Sequence, residues 1–249
     1  MVSLTSLLEF TNETLQPDQF QDYCPNGLQV EGRSEVRKIV SGVTACQALL
    51  DRAINAGADV ILVHHGCFWR GESPCLTGIQ RTRIKKLLES DVSLIAYHLP
   101  LDAHPKLGNN VTLARMLDLI PEGSFNKEGV GNIGRLKQPM KATEFAALIS
   151  DRLGRVPLHI MADNGSIETI AWCTGAAQGY IDKAVEAGVD AYLSGEISEQ
   201  TVHIAREEGI HYFAAGHHAT ERYGVQALGE YIEKHFDLEH EFIDIDNPV

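Results

Sequence analysis

Apolar residues fall into short runs and helical stripes along this chain, and the same succession occurs twice. Ile39 to Val43 is a β-branched stretch that predicts a strand. Ala45 to Ala56 then places Leu49, Leu50, Ala53 and Ile54 at helical spacing, with Gly57 as the stop. Val60 to Val63 is unbroken and apolar, as in a strand covered on both faces by helices. From Ile170 to Ile197 the order strand, helix, strand returns at a constant offset of 131. Ile39/Ile170, Ala45/Ala176, Gln47/Gln178, Asp51/Asp182, Ala53/Ala184, Ala56/Ala187, Gly57/Gly188, Asp59/Asp190 and Leu62/Leu193 coincide without a gap. Common α/β grammar accounts for part of this, and the ungapped run favours internal duplication.

The parallel continues. A helix with Ile84, Leu87 and Leu88 leads to a strand over Val92 to Tyr97, and a helix around Val202 to Glu208 leads to Ile210 to Ala215. Pro157 to Met161 and Ile167 to Cys173 flank Asn164-Gly165, a two-strand hairpin signal. A last strand, Phe242 to Ile245, has either sheet open to it. Pro121 to Pro139, rich in Gly and Asn, reads as the linker. The fold class expected is α/β, with a first domain over 1–122 and a second over 123–249 whose C-terminal strand is a candidate for sharing.

Composition narrows the function classes. The 249 residues carry 21 Lys and Arg against 34 Asp and Glu, a net charge of −13. Such an acidic chain has no general means of neutralising phosphates, which argues against nucleic acid as a general ligand. Met1 to Phe10 has no basic region or long apolar run, and no stretch approaches the ~18 apolar residues of a membrane span. Five cysteines at scattered spacing fit reduced thiols. The expectation is a cytoplasmic protein without a membrane partner.

Eight of the eleven histidines are bunched, at 64, 65, 98 and 104 and again at 203, 211, 217 and 218. His64-His65-Gly66 closes a buried strand, at the end of an α/β sheet where ligands bind; two satisfied core histidines are the alternative. His217 and Glu221 stand four apart at the start of a helix whose buried face is Val225, Leu228, Ile232 and Phe236. There a capping cluster built on Thr220 or Glu221 is the alternative. His98 and Asp102 repeat the spacing, with Pro100 predicting a loop between them. Imidazoles and carboxylates without thiolate suit Zn, Mn, Fe, Co or Ni. Five candidates, His64, His65, Asp102, His217 and Glu221, exceed the needs of one open ion and match two ions about 3.5–4 Å apart. Cys67 competes as a ligand or is an inert buried thiol, and Glu196 is a cleft residue or a helix N-terminal acid. Gly129-Val-Gly131-Asn-Ile-Gly134 matches a dinucleotide fingerprint in letters but neither follows a strand nor opens a helix, so it reads as a turn.

With these strings in view, the chain resembles the NIF-three-like family (NGG-interacting factor type), also called GTP cyclohydrolase I type 2, and its short bacterial YbgI-type members. The matching strings are Pro25-Asn-Gly-Leu-Gln29, Gly42-Val-Thr44, Val63-His-His-Gly66, His98-Leu-Pro-Leu-Asp102, Gly108-Asn-Asn110, Ser194-Gly-Glu196 and Gly216-His-His-Ala-Thr-Glu221. The resemblance implies two similar, intertwined α/β domains with mixed sheets flanked by helices, two divalent metal ions per chain and a toroidal homohexamer. It assigns His64, His65, Asp102, His217 and Glu221 as the metal ligands. The longer relatives' inserted domain is missing here.

Two function classes follow. One is a dinuclear metal-dependent hydrolase, GTP cyclohydrolase-like or acting on other nucleotides or small molecules. His98 and Glu221 are its candidate catalytic residues, an imidazole of ordinary pKa ~6.5 being suited to moving protons near neutrality. Arg70 or Arg222 are possible helpers. The other class is a non-catalytic metal-binding oligomer with a regulatory, transcription-linked or DNA-damage-related role.

Overall fold

The computed structural model describes residues 1–125, 129–163 and 165–249. Its contacts divide into two compact units, Met1–Leu107 with Gly224–Ile245, and Gly108–Tyr223 with Asp246–Val249. Each holds one mixed sheet with helices packed on it, an α/β architecture.

In the first unit the five-stranded sheet runs Glu239–Phe242, Lys38–Thr44, Val60–His65, Ser93–Ala96, Gly27–Val30. The first four strands are parallel and Gly27–Val30 is antiparallel at the edge. Val40, Ile61, Val63, Leu94 and Ala96 bury one face of this sheet against Leu49, Leu50 and Ala53 of the helix Gln47–Asn55. Ile39, Val60, Leu62 and Ile95 bury the other against Leu4 and Leu7, and against Val225, Leu228 and Ile232 of the long helix His217–Phe236. Burial on both faces explains the unbroken apolar runs of these strands. The strand Glu239–Phe242 lies slightly ahead of the Phe242 to Ile245 stretch that hydropathy singles out. Leu88, at a core position by helical spacing, is exposed on the helix Gly78–Ser90.

The second unit's sheet runs Leu119–Gly123, Asn132–Lys141, Ser166–Cys173, Ala191–Ser194, His211–Ala214, Leu158–Ile160. The strands Ser166–Cys173, Ala191–Ser194 and His211–Ala214 are parallel, and the other three are antiparallel to their neighbours. Leu158–Ile160 therefore makes no hairpin with Ser166–Cys173. Both sides of Ser166–Cys173 are taken by Asn132–Lys141 and Ala191–Ser194, so the shorter strand pairs with His211–Ala214 instead. Of the Asn164-Gly165 turn signal, Asn164 lies outside the described residues. The glycine-rich string at 129–134 leads into the strand Asn132–Lys141 and opens no helix; Asn126, Lys127 and Glu128 before it are outside the described residues.

Matched positions do matched work. Ile39 pairs with Val60, and Ile170 pairs with Ala191, the same register in each sheet. Asp59 Oδ2 accepts from the amides of Arg37 and Lys38, while Asp190 Oδ2 accepts from those of Glu168 and Thr169. An aspartate after the helix thus satisfies two backbone donors of the preceding strand, at its start in the first unit and at the register shift of Ser166–Cys173 in the second. Among the described residues no helix is long and apolar enough to cross a membrane.

Candidate metal centre

In the first unit the carboxyl ends of three parallel strands carry the chemistry. Neighbouring side chains in a strand ordinarily diverge. At the end of Val60–His65, however, the rings of His64 and His65 come together, their centroids 4.6 Å apart. His64 is fully buried, with Nδ1 2.9 Å from the Tyr97 carbonyl oxygen. A carbonyl only accepts, so Nδ1 carries the proton and donates, and in the neutral ring Nε2 is the basic atom. Nε2 lies 3.5 Å from Asp102 Oδ1. His65 Nδ1 is 3.0 Å from the Thr44 hydroxyl at the end of the adjacent strand.

Asp102 lies on a helical turn, Leu99–Ala103, where Pro100 predicts a loop. Pro100 is compatible with the helix because the first turn leaves its amides without intrahelical acceptors, so a missing N–H costs nothing. The amides of Leu101 and Asp102 both bond to the His98 carbonyl. His98 is buried at the start of this turn, its ring centroid 5.0 Å from that of His64 and 5.7 Å from that of His65. Ligand nitrogens of the three histidines lie within 4.8 Å of one another.

Sequence reasoning missed Asp22. Its Oδ1 lies 2.8 Å from His98 Nδ1, and its Oδ2 accepts from Leu99 N at 2.9 Å and Asn26 Nδ2 at 2.9 Å. Burial alone would raise this carboxyl; the bond and charge of His98, with the Asn26 and Leu99 donors, outweigh it and hold the pKa well below the usual carboxylate range. The available signal was position, since Asp22 stands just before the Pro25-Asn-Gly-Leu-Gln29 string.

In the second unit His217 opens the long helix and Glu221 follows one turn later, buried. His217 Nε2 lies 3.0 Å from Glu221 Oε2, and Nδ1 lies 2.8 Å from Glu196 Oε1. Burial would depress this imidazole, but the bonds and charges of Glu221 and then Glu196 push it up to about 9. Glu196 is therefore a partner of His217 and lies ahead of the next helix, Glu199–Glu207, whose cap is Ser198. Thr220 does not cap its own helix: Oγ1 accepts from Gly175 N at 3.1 Å and donates to the His217 carbonyl at 2.9 Å. Gly175, at φ +69°, brings its turn against the pair, and a Cβ there would fall 2.0 Å from Glu221 Oε1.

The remaining candidates have other work. Burial pushes the Cys67 thiol up, as for an inert core cysteine. Arg222 donates from Nη2 to the Leu153 carbonyl at 2.7 Å. His104 Nδ1 accepts the amides of Lys106 and Leu107, and His211 pairs with His159. The donor set at both strand-end clusters is imidazole and carboxylate, with the far nitrogen of His64 on a carbonyl and that of His217 on a carboxylate. This arrangement of outer partners is the one ligating histidines use, so the residues fit a divalent transition ion.

Comparison with known proteins gives the family. The family model for Duf34/NIF3 (NGG1p interacting factor 3) matches residues 2–248. A GTP cyclohydrolase 1 type 2 homolog of Pseudomonas aeruginosa is 59% identical over 251 residues, covering 100% of this chain and 99% of the relative. Its Escherichia coli counterpart is 52% identical over 247 residues, with 98% and 99% covered. Among solved structures, the protein ybgI, described as of unknown function, superposes with a TM-score of 0.97 at 50% identity, over 100% of both chains. The protein TTHA1606 from Thermus thermophilus does so with a TM-score of 0.92 at 30% identity, again over 100% of both. Strand-end histidines, a full-length family match and near-identical folds lead to one assignment: the chain belongs to the Duf34/NIF3 family, among its YbgI-like GTP cyclohydrolase 1 type 2 homologues.

Proposed function

We propose that this chain is a divalent-metal-dependent hydrolase of small, nucleotide-like molecules, with His64, His65, Asp102, His217 and Glu221 holding two ions. The observation that carries it is the pairing of imidazoles with carboxylates at the carboxyl ends of parallel strands, with the His64 and His217 rings each fixed by an outer acceptor. Ions of the Zn, Mn, Fe, Co or Ni class, when bound, supply Lewis acidity and a nucleophile near neutral pH. His98, oriented by Asp22, moves the proton at Nε2. Glu221 contributes its carboxylate to the ion pair and to the charge balance of His217. The names of the relatives make GTP the first substrate to try. We further read the two sheets as products of an internal duplication with intertwined halves, and the working form as a cytoplasmic homohexamer.

The test is a substrate panel on metal-reconstituted protein, following formate from GTP and phosphate from nucleotides and phosphodiesters. Turnover that collapses in His98→Ala while metal content stays intact supports the proposal. Absence of product from every substrate on fully loaded wild type would replace it with the non-catalytic, regulatory alternative.

A further inference from the structure

Two turns carry His64, His65 and His98, and one short segment holds both. Asn26 Oδ1 accepts from His98 N at 2.7 Å, and Asp22 takes Leu99 N and the His98 ring. Asn26 Nδ2 bonds to Asp22 Oδ2, so these two acceptors are tied to each other. Three residues on, Gln29 Oε1 accepts from Cys67 N at 2.8 Å, at the turn that follows His64 and His65. Gln29 is itself anchored, Nε2 donating to the Pro25 carbonyl at 2.9 Å. Gly66 is packed so closely on this amide that a Cβ would fall 2.1 Å from Gln29 Oε1.

We infer that Asp22, Asn26 and Gln29 are positioning residues of the site, setting the His98 ring orientation and the His64-His65-Gly66 turn from a single bracket. The inference rests on the proposed metal and proton-carrying roles of those histidines, and it adds residues that serve them without touching an ion or a substrate. The mechanism is geometric. A carboxylate accepting from Nδ1 selects the tautomer in which the His98 proton sits on Nδ1 and the basic lone pair on Nε2. An amide oxygen fixed at the Cys67 N–H holds the turn at one distance from the His98 turn, because both are bonded to the same short segment, Asp22 to Gln29. Partners bonded directly to metal ligands are worth about 10–100-fold in affinity; Gln29 acts one step further out, through the turn after His65, so the low end of that range applies.

The experiment has two arms, neither of which needs turnover. In metal-free protein, imidazole nitrogen NMR should show neutral His98 protonated on Nδ1, and Asp22→Ala should shift it toward the Nε2–H form while His64 keeps its tautomer. In cobalt titrations, Gln29→Met should weaken binding about tenfold and alter the visible ligand-field bands. Gln29→Glu, which keeps an oxygen acceptor for Cys67 N but loses the donor to the Pro25 carbonyl, should restore both only in part. An unchanged His98 tautomer in folded Asp22→Ala overturns the role of Asp22. Wild-type affinity and bands in Gln29→Met overturn the role of Gln29. A wild type that takes up no cobalt sinks the metal proposal and Gln29 with it, while the tautomer measurement still decides Asp22. Normal results in both arms with no hydrolysis of any substrate would remove only the hydrolase activity.

Discussion

Glu196 Oε1 and His217 Nδ1 lie 2.8 Å apart, on the loop after Ala191–Ser194 and on the first residue of the helix His217–Phe236. A carboxylate on the far side of an imidazole raises the basicity of the near nitrogen and fixes the ring plane. Glu196→Gln should therefore weaken divalent-metal binding by about 10–100-fold without unfolding the chain. Competition against a chromophoric chelator, with circular dichroism as the control for folding, measures this. Unchanged affinity would reduce Glu196 to a surface acid.

Gly175 is held at φ +69° with Glu221 Oε1 where its Cβ would be. Gly175→Ala should cost about 1–3 kcal/mol of stability, since strained backbone and displaced neighbours each carry penalties of that order. It should also lower metal affinity by moving Glu221. Denaturant unfolding of the metal-free variant and a chelator titration separate the two effects.

The histidine pair His159 and His211 should give the protein an acid sensitivity of its own. His159 Nε2 lies 3.1 Å from His211 Nδ1, and its ring stacks on Phe213 at 4.3 Å. Burial, and then the electrostatic effect of His211, push His159 down from 6.5 to about 4. Between those values the unfolded chain binds more protons than the native one, so this contribution is whole above pH 6.5 and is lost as pH falls toward 4. Thermal midpoints measured from pH 7 to 4 should fall, and His159→Phe, which keeps a ring on Phe213, should flatten that part of the curve.

How much is legible in the sequence depends on range. The strands around Ile39 and Val60 announce themselves because both faces are buried, and the His217/Glu221 pair because four residues make one helical turn. The Leu158–Ile160 strand reads as half of a hairpin because its partner, His211–Ala214, is remote in the chain and leaves no local mark. Pro100 misleads for the opposite reason: the rule that proline breaks helices is local, and the first turn is the one part of a helix where it does not hold. Asp59 and Asp190 match in the repeat without a visible role, since the amides they satisfy belong to the preceding strands. Each of Asp59→Ala and Asp190→Ala leaves two backbone donors without that acceptor and should cost about 2–4 kcal/mol in denaturant unfolding.

The central claim is that five residues hold two ions, and metal stoichiometry tests it most directly. Elemental analysis after reconstitution and desalting should give two divalent ions per wild-type chain. His64→Ala, Asp102→Asn, His217→Ala and Glu221→Gln should each fall to one ion or fewer, with folding verified by circular dichroism. Two ions retained by His217→Ala combined with Glu221→Gln, or no ion bound by the wild type, would contradict the claim.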